Sequence, residues 1–167
     1  VGFVLILSLI LKIEGMSWFD AFCHSFTTIA TAGFSTRNSS IGAYQSPIIE
    51  FTIILFMFLA ATNFTLHYHL FYHRKFSYFK DTEFKFYIGI ITLFTLILGI
   101  NIAMHQYGFG FDAFRHGLFT TVTLITTTGF STENFGAWPH LSQTLIFFII
   151  FLGGSAGSTT GALKLIR

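Results

Sequence analysis

Two tetrads, Thr31-Ala32-Gly33-Phe34 and Thr127-Thr128-Gly129-Phe130, carry the residue types best suited to chemistry in this chain, and that chemistry is coordination rather than covalent catalysis. A short extended stretch whose carbonyls turn to one side can replace the hydration shell of a dehydrated cation. Gly33 and Gly129 suit such a stretch because it uses dihedrals that a Cβ resists. Thr31 and Thr127 can each add a hydroxyl oxygen at the inner end. Each tetrad runs on into Ser-Thr (Ser35-Thr36 and Ser131-Thr132), and each is preceded by Phe-Asp-Ala-Phe, at residues 19–22 and 111–114. The two aspartates, Asp20 and Asp112, are 92 residues apart and the two glycines 96, so the second copy carries four more residues, about one helical turn. Both aspartates read as N-caps of a short helix that aims its negative end at the tetrad, where a cation is favoured.

The elements that must hold these turns are membrane helices. Hydrophobic residues make up 53% of the 167, charged residues only 10%, and 24 are Phe. Mean hydropathy is +0.69, and soluble domains carry about 25% charge. Residues 1–13 are apolar but shorter than the ~20 needed to cross a bilayer, so they read as the outer part of a helix that begins upstream. They lack the basic flank and cleavage site of a signal peptide.

Residues 47–72 read as the first complete span, opened by Ser46-Pro47 and closed by an interfacial belt of His67, Tyr68, His69, Tyr72 and His73. A linker follows, with Tyr78 and Phe79 at the interface. Residues 84–104 read as the second span. Residues 112–126 are too polar and short to cross. A third span from Ser142 is interrupted at Gly153-Gly154-Ser155-Ala156-Gly157-Ser158-Thr159-Thr160-Gly161 and resumes at 162–167. Six of the nine basic residues (Arg74, Lys75, Lys80, Lys85, Lys164, Arg167) lie in the linker and at the C-terminal end, which places both on the cytoplasmic side. The expected organisation is one helix–turn–helix unit at 1–72, a cytoplasmic linker at 73–83 and a second unit at 84–167. A turn held at membrane depth is tolerated only where it lines a cavity.

Bland readings compete at each position. Small residues also serve helix packing, for the tetrads and more so for 153–161. Lone Cys23 reads as a small buried apolar residue. His69 and His73, at i and i+4, could belong to a His-box membrane metal oxidase, but His24, His105, His116 and His140 are isolated. Glu50 is close enough to its span's start to reach outer headgroups, Asn63 is placed to bridge helices, and Arg37 and Glu133 follow the tetrads into an outer vestibule. No nucleophile–base pair or phosphate loop argues for an enzyme.

With these residues in view, the chain resembles the Trk/Ktr/HKT superfamily of potassium transporters, closest to the Trk-type membrane subunit. The resemblance rests on the two Thr-x-Gly-Phe-Ser-Thr phrases and on residues 153–164. It implies an all-α integral membrane fold of helix–pore loop–helix units around a pseudo-fourfold pore, with this chain as the second and third of four. It also implies that Thr31, Ala32, Gly33, Phe34, Thr127, Thr128, Gly129 and Phe130 offer backbone oxygens to K+, the transported ion, with no cofactor, and that residues 153–161 form an intramembrane gate loop. Thr160 and Ala162 stand where the family commonly has further glycines. The resemblance further implies a homodimer in a bacterial inner membrane, gated by a cytoplasmic nucleotide-binding regulatory subunit, and raises the question of symport with H+ or Na+. The competing cation reading, a Na+-conducting relative, is opposed by Gly33 and Gly129. Two pore loops alone leave an open-sided site, so the isolated chain is expected to be inert.

Overall fold

Helix starts are set by local chemistry. The computed structural model describes residues 1–73, 78 and 81–164, and the described residues form helices and turns with one isolated bridge, between Leu152 and Leu163. The helices are α1 (Gly2–Ile13), α2 (Trp18–Ile29), α3 (Pro47–Ala60), α4 (Phe64–His73), α5 (Thr82–Ile102), α6 (Phe111–Ile125) and α7 (His140–Ile149). Ser17 caps α2, its hydroxyl oxygen accepting the Asp20 N–H at 3.0 Å, and Asp81 caps α5 by accepting the Phe84 N–H at 2.7 Å. Asp20 and Asp112 are therefore not the caps the sequence suggested. Ser17 and Gly110 hold those positions, and both aspartates sit inside the first turn.

The same arrangement occurs twice: α1 lies against α2, and α5 against α6. The α5–α6 crossing is close because two glycines meet there. A Cβ on Gly117 would stand 2.9 Å from the Gly99 nitrogen, the kind of approach small residues permit between membrane helices. Helix α3 packs on both α2 and α6, joining the two halves. Leu7, Leu11, Ile53, Met57, Phe119 and Ile125 fill the shared core, while Leu5, Leu9, Leu93, Leu96, Phe147 and Phe148 face outward, as a lipid-facing surface requires.

The segment of α5 with its π-helical continuation, Thr82–Tyr107, is one helix long and apolar enough to cross a membrane. The span expected at 47–72 is not continuous: α3 and α4 meet at 97°. Neither proline nor glycine sits at the break. The Ala60 and Ala61 carbonyls instead accept hydrogen bonds from residues 155 and 159, and the Asn63 carboxamide oxygen accepts the Thr65 N–H at 2.9 Å to start α4. Asn63 thus caps a half-helix rather than bridging two spans. His67 and Tyr78, expected in an interfacial belt, are buried: the Tyr78 hydroxyl meets His67 Nδ1 at 2.8 Å, and His67 Nε2 donates to the Leu59 carbonyl at 2.9 Å. Tyr68 and Tyr72 are exposed as expected. Phe79, Arg74, Lys75, Lys80 and the helical resumption at 165–167 lie outside the described residues. Ala162 to Lys164 are not helical.

Candidate functional site

Both short helices end in the same hydrogen-bonded turn. Thr31 N–H donates to the Thr28 carbonyl at 3.1 Å and Ala32 N–H to the Thr27 carbonyl at 2.8 Å; in the second copy Thr127 donates to Leu124 and Thr128 to Thr123, both at 2.9 Å. This pair of bonds is the Schellman ending, which normally places glycine in the left-handed position. Here threonine holds it, with φ 51° at Thr31 and 53° at Thr127. A β-branched residue there costs about 1–2 kcal/mol, strain that persists only where surrounding structure enforces it. Two residues on, Gly33 has φ 69° and Gly129 φ 86°, while the residues between keep negative φ. Residues alternating between positive and negative φ turn successive peptide groups, the kind of backbone from which ion-binding concavities are made.

The two turns lie side by side. A Cβ on Gly33 would overlap the Thr128 carbonyl oxygen and stand 2.9 Å from its carbon. Beyond the turns, Gly42 N–H donates to the Ser131 carbonyl at 3.1 Å, and Ser131 N–H to the Ser40 hydroxyl at 3.2 Å. The aromatic residues differ: the Phe130 ring is buried, with its centroid 5.9 Å from that of His24, whereas Phe34 is 77% exposed.

Residues 153–161 lie against the threonine end of both turns. The Thr31 hydroxyl donates to the Thr159 carbonyl at 3.0 Å, and the Gly161 N–H donates to the Thr127 hydroxyl oxygen at 2.8 Å. The loop is held from the α3–α4 break as well: Ser155 N–H donates to the Ala61 carbonyl at 3.0 Å, the Thr159 hydroxyl to the Ala60 carbonyl at 3.1 Å, and Phe64 N–H to the Gly157 carbonyl at 3.1 Å. Glu83 at the start of α5 accepts the Ala156 N–H at 2.5 Å, and the Lys164 ammonium folds back onto the Thr160 carbonyl. Gly153 and Gly154 are buried where a Cβ would meet backbone, 2.6 Å from the Gly161 carbonyl oxygen and 2.8 Å from that of Ala61.

Beyond the first turn, Asp20 grips the residues that leave it. Its carboxylate accepts the Thr36 hydroxyl at 2.5 Å and pairs with Arg37 at 2.9 Å. The Thr36 hydroxyl first, then the Arg37 guanidinium and Ser17, hold this carboxyl down to about 2 against the opposing effect of burial. Asp112, more exposed, pairs with Arg115 at 3.0 Å.

Glu50 does not reach headgroups. It is buried on α3 and pairs with Arg115 of α6 at 2.6 Å, beside a cavity of about 400 Å³ also lined by His116, Thr132 and Glu133. Removing one partner of a buried ion pair leaves the other charge uncompensated, at a cost of about 3–5 kcal/mol. Arg115→Met should therefore lower stability by roughly that amount in detergent thermal unfolding, and Arg115→Met with Glu50→Gln should recover most of it. Unfolding of Arg115→Met at the unmutated temperature would refute the role of the pair.

Sequence reasoning missed Arg115, His24 and His116. A signal was present for the histidines: each copy places His four residues after its Asp, on one helix face. His69 and His73 stand with ring centroids 5.5 Å apart, and among the described residues no group of three or more His, Cys, Asp or Glu gathers.

Paired re-entrant helices that end in Thr-x-Gly turns, set among membrane-spanning helices, define an integral membrane protein of the pore-loop class. The profile of the TrkH family, described as cation transport protein, matches residues 1–167, and the chain belongs to that family, whose members are transporters and not enzymes. It is 42% identical over 160 residues to the Trk system potassium uptake protein TrkH of Vibrio parahaemolyticus serotype O3:K6, covering 93% of this chain and 33% of that protein. It is 38% identical over 162 residues to the TrkH of Escherichia coli K12, covering 96% of this chain and 34% of that one. The crystal structure of the Vibrio parahaemolyticus potassium transporter TrkH superposes with a TM-score of 0.92 at 39% identity, covering 99% of this chain and 36% of that one. The chain thus spans about a third of the length of the relatives it matches.

Proposed function

We propose that this chain supplies two of the four pore-loop units of a K+ uptake pore in a bacterial inner membrane, one unit in residues 1–72 and the other in 84–167, joined by a linker at 73–83. In this reading the backbone oxygens of Thr31 to Phe34 and Thr127 to Phe130 replace water around K+, and residues 153–161 close the inner mouth. The observation that carries it is the junction of all three: two strained Thr-x-Gly turns in contact, with one loop hydrogen-bonded to both threonines at 3.0 and 2.8 Å. The Thr31 hydroxyl proton is shared between the Ala30 carbonyl at 2.8 Å and the loop's Thr159 carbonyl at 3.0 Å, while its oxygen keeps lone pairs for a cation. Conduction needs no covalent chemistry and no cofactor. Pairing as a homodimer and gating by a cytoplasmic nucleotide-binding subunit belong to the same reading.

Liposomes containing the full-length polypeptide that carries this chain should take up rubidium, with K+ competing strongly and Na+ weakly. Absence of cation uptake would sink the transport reading, and preference for Na+ would sink the assignment to K+.

A further inference from the structure

His24 lies outside the proposed cation path yet is fully buried directly behind the first turn. Its Nδ1 is 2.7 Å from the Asp20 carbonyl oxygen and its Nε2 is 2.9 Å from the Ser35 hydroxyl. A carbonyl only accepts, so Nδ1 carries the proton, and Nε2 accepts from Ser35. The Ser35 oxygen in turn accepts the Arg37 N–H at 3.1 Å. Both ring nitrogens are thereby used, and the tautomer is fixed by its neighbours.

The ring has a second task. Its centroid is 5.7 Å from that of Tyr44, edge to face, and 5.9 Å from that of Phe130, the aromatic residue of the other turn. One imidazole therefore links the helix α2, the segment leaving its own turn, and the side chain that seats the neighbouring turn. A coordination site works only when its groups are held to within about 0.5 Å by side chains that are themselves locked. His24 meets that condition, since neither its hydrogen bonds nor its ring contacts leave it a free rotation.

In the second copy His116 is buried at the corresponding position but has different partners: its Nδ1 is 3.4 Å from the Thr132 hydroxyl, and its Nε2 is 3.3 Å from the Arg115 guanidinium and 3.7 Å from Glu133.

We infer that His24 is a positioning residue for ion selectivity, fixing the first turn through Ser35 and the second through Phe130. The inference rests on reading the two turns as a cation filter. It is tested in the full-length polypeptide in liposomes, by rubidium uptake and its competition by K+ and Na+. Asparagine reproduces only the donor to Asp20, whereas glutamine places an acceptor within reach of Ser35.

His24→Ala and His24→Asn are expected to lower the preference for rubidium over Na+ about tenfold, the scale of one lost hydrogen bond and its packing, while His24→Gln keeps it within about twofold. Ser35→Ala, which leaves the core intact, should lower it about threefold and decides the matter if the alanine variant at 24 fails to fold. Unchanged selectivity in His24→Ala or Ser35→Ala overturns the inference, as does His24→Gln falling as low as His24→Asn. An unmutated protein that does not prefer rubidium over Na+ overturns instead the filter reading beneath it.

Discussion

Replacing Gly33 with alanine is expected to cut the proposed K+-selective uptake by the full-length polypeptide about a hundredfold. Two costs coincide at this position. The residue has φ 69°, where a Cβ adds about 1–2 kcal/mol of strain. The added methyl also overlaps the Thr128 carbonyl oxygen, which is backbone and lies between two residues of opposite handedness, so it cannot move without rotating its own peptide. That rotation turns a proposed cation-coordinating oxygen away from the ion. Each 1.36 kcal/mol added to a barrier is tenfold in rate, so a loss of about 3 kcal/mol corresponds to roughly a hundredfold fall in rubidium uptake. Alanine at Gly89, a helical glycine with open space around its Cβ position, should leave uptake unchanged and serves as the control. Selective uptake retained by Gly33→Ala would show that the close approach of the two turns is not part of the conducting site.

The second large effect is expected from the loop. Deleting residues 155–159 in the full-length polypeptide should raise cation flux at least about tenfold. The deletion removes the bonds to Ala60 and Ala61 in the α3–α4 break, the Phe64–Gly157 bond, the Glu83–Ala156 bond and the Thr31–Thr159 bond. Each contributes about 1 kcal/mol net, and together they hold the loop against the turns, the position proposed above as closed. A flux equal to that of the unmutated protein would remove the gate assignment. The same loop explains the bend between α3 and α4: the two free carbonyls at the break are the acceptors that anchor it, so the broken helix and the loop hold each other in place.

Much of this was legible in the residues themselves. The duplicated phrase, the membrane composition and the interruption at 153–161 are patterns of type and spacing, and each reappears as an element. The positive φ at Gly33 and Gly129 was also legible, because only glycine adopts it freely. Its counterpart at Thr31 and Thr127 was not, since threonine gives no local sign of a left-handed conformation that the surroundings impose. The N-cap at Ser17 was readable as a Ser three residues before Asp20, but the aspartate's charge drew the assignment to itself.

Glu50, His67 and Tyr78 were misplaced for a single reason. A polar residue near the end of an apolar run has the same local pattern whether it faces headgroups or a buried partner.

The sequence by itself determined the repeat, the helical membrane class and the residues of the two turns, because these follow from composition, periodicity and the special conformational range of glycine. Tertiary structure alone decided what those residues touch. Arg115 finds Glu50 across 65 positions, and Thr31 finds Thr159 across 128. Hydrophobic periodicity fixes which face of a helix is buried but not which residue of another unit lies opposite, and that register is set only when all the helices pack at once.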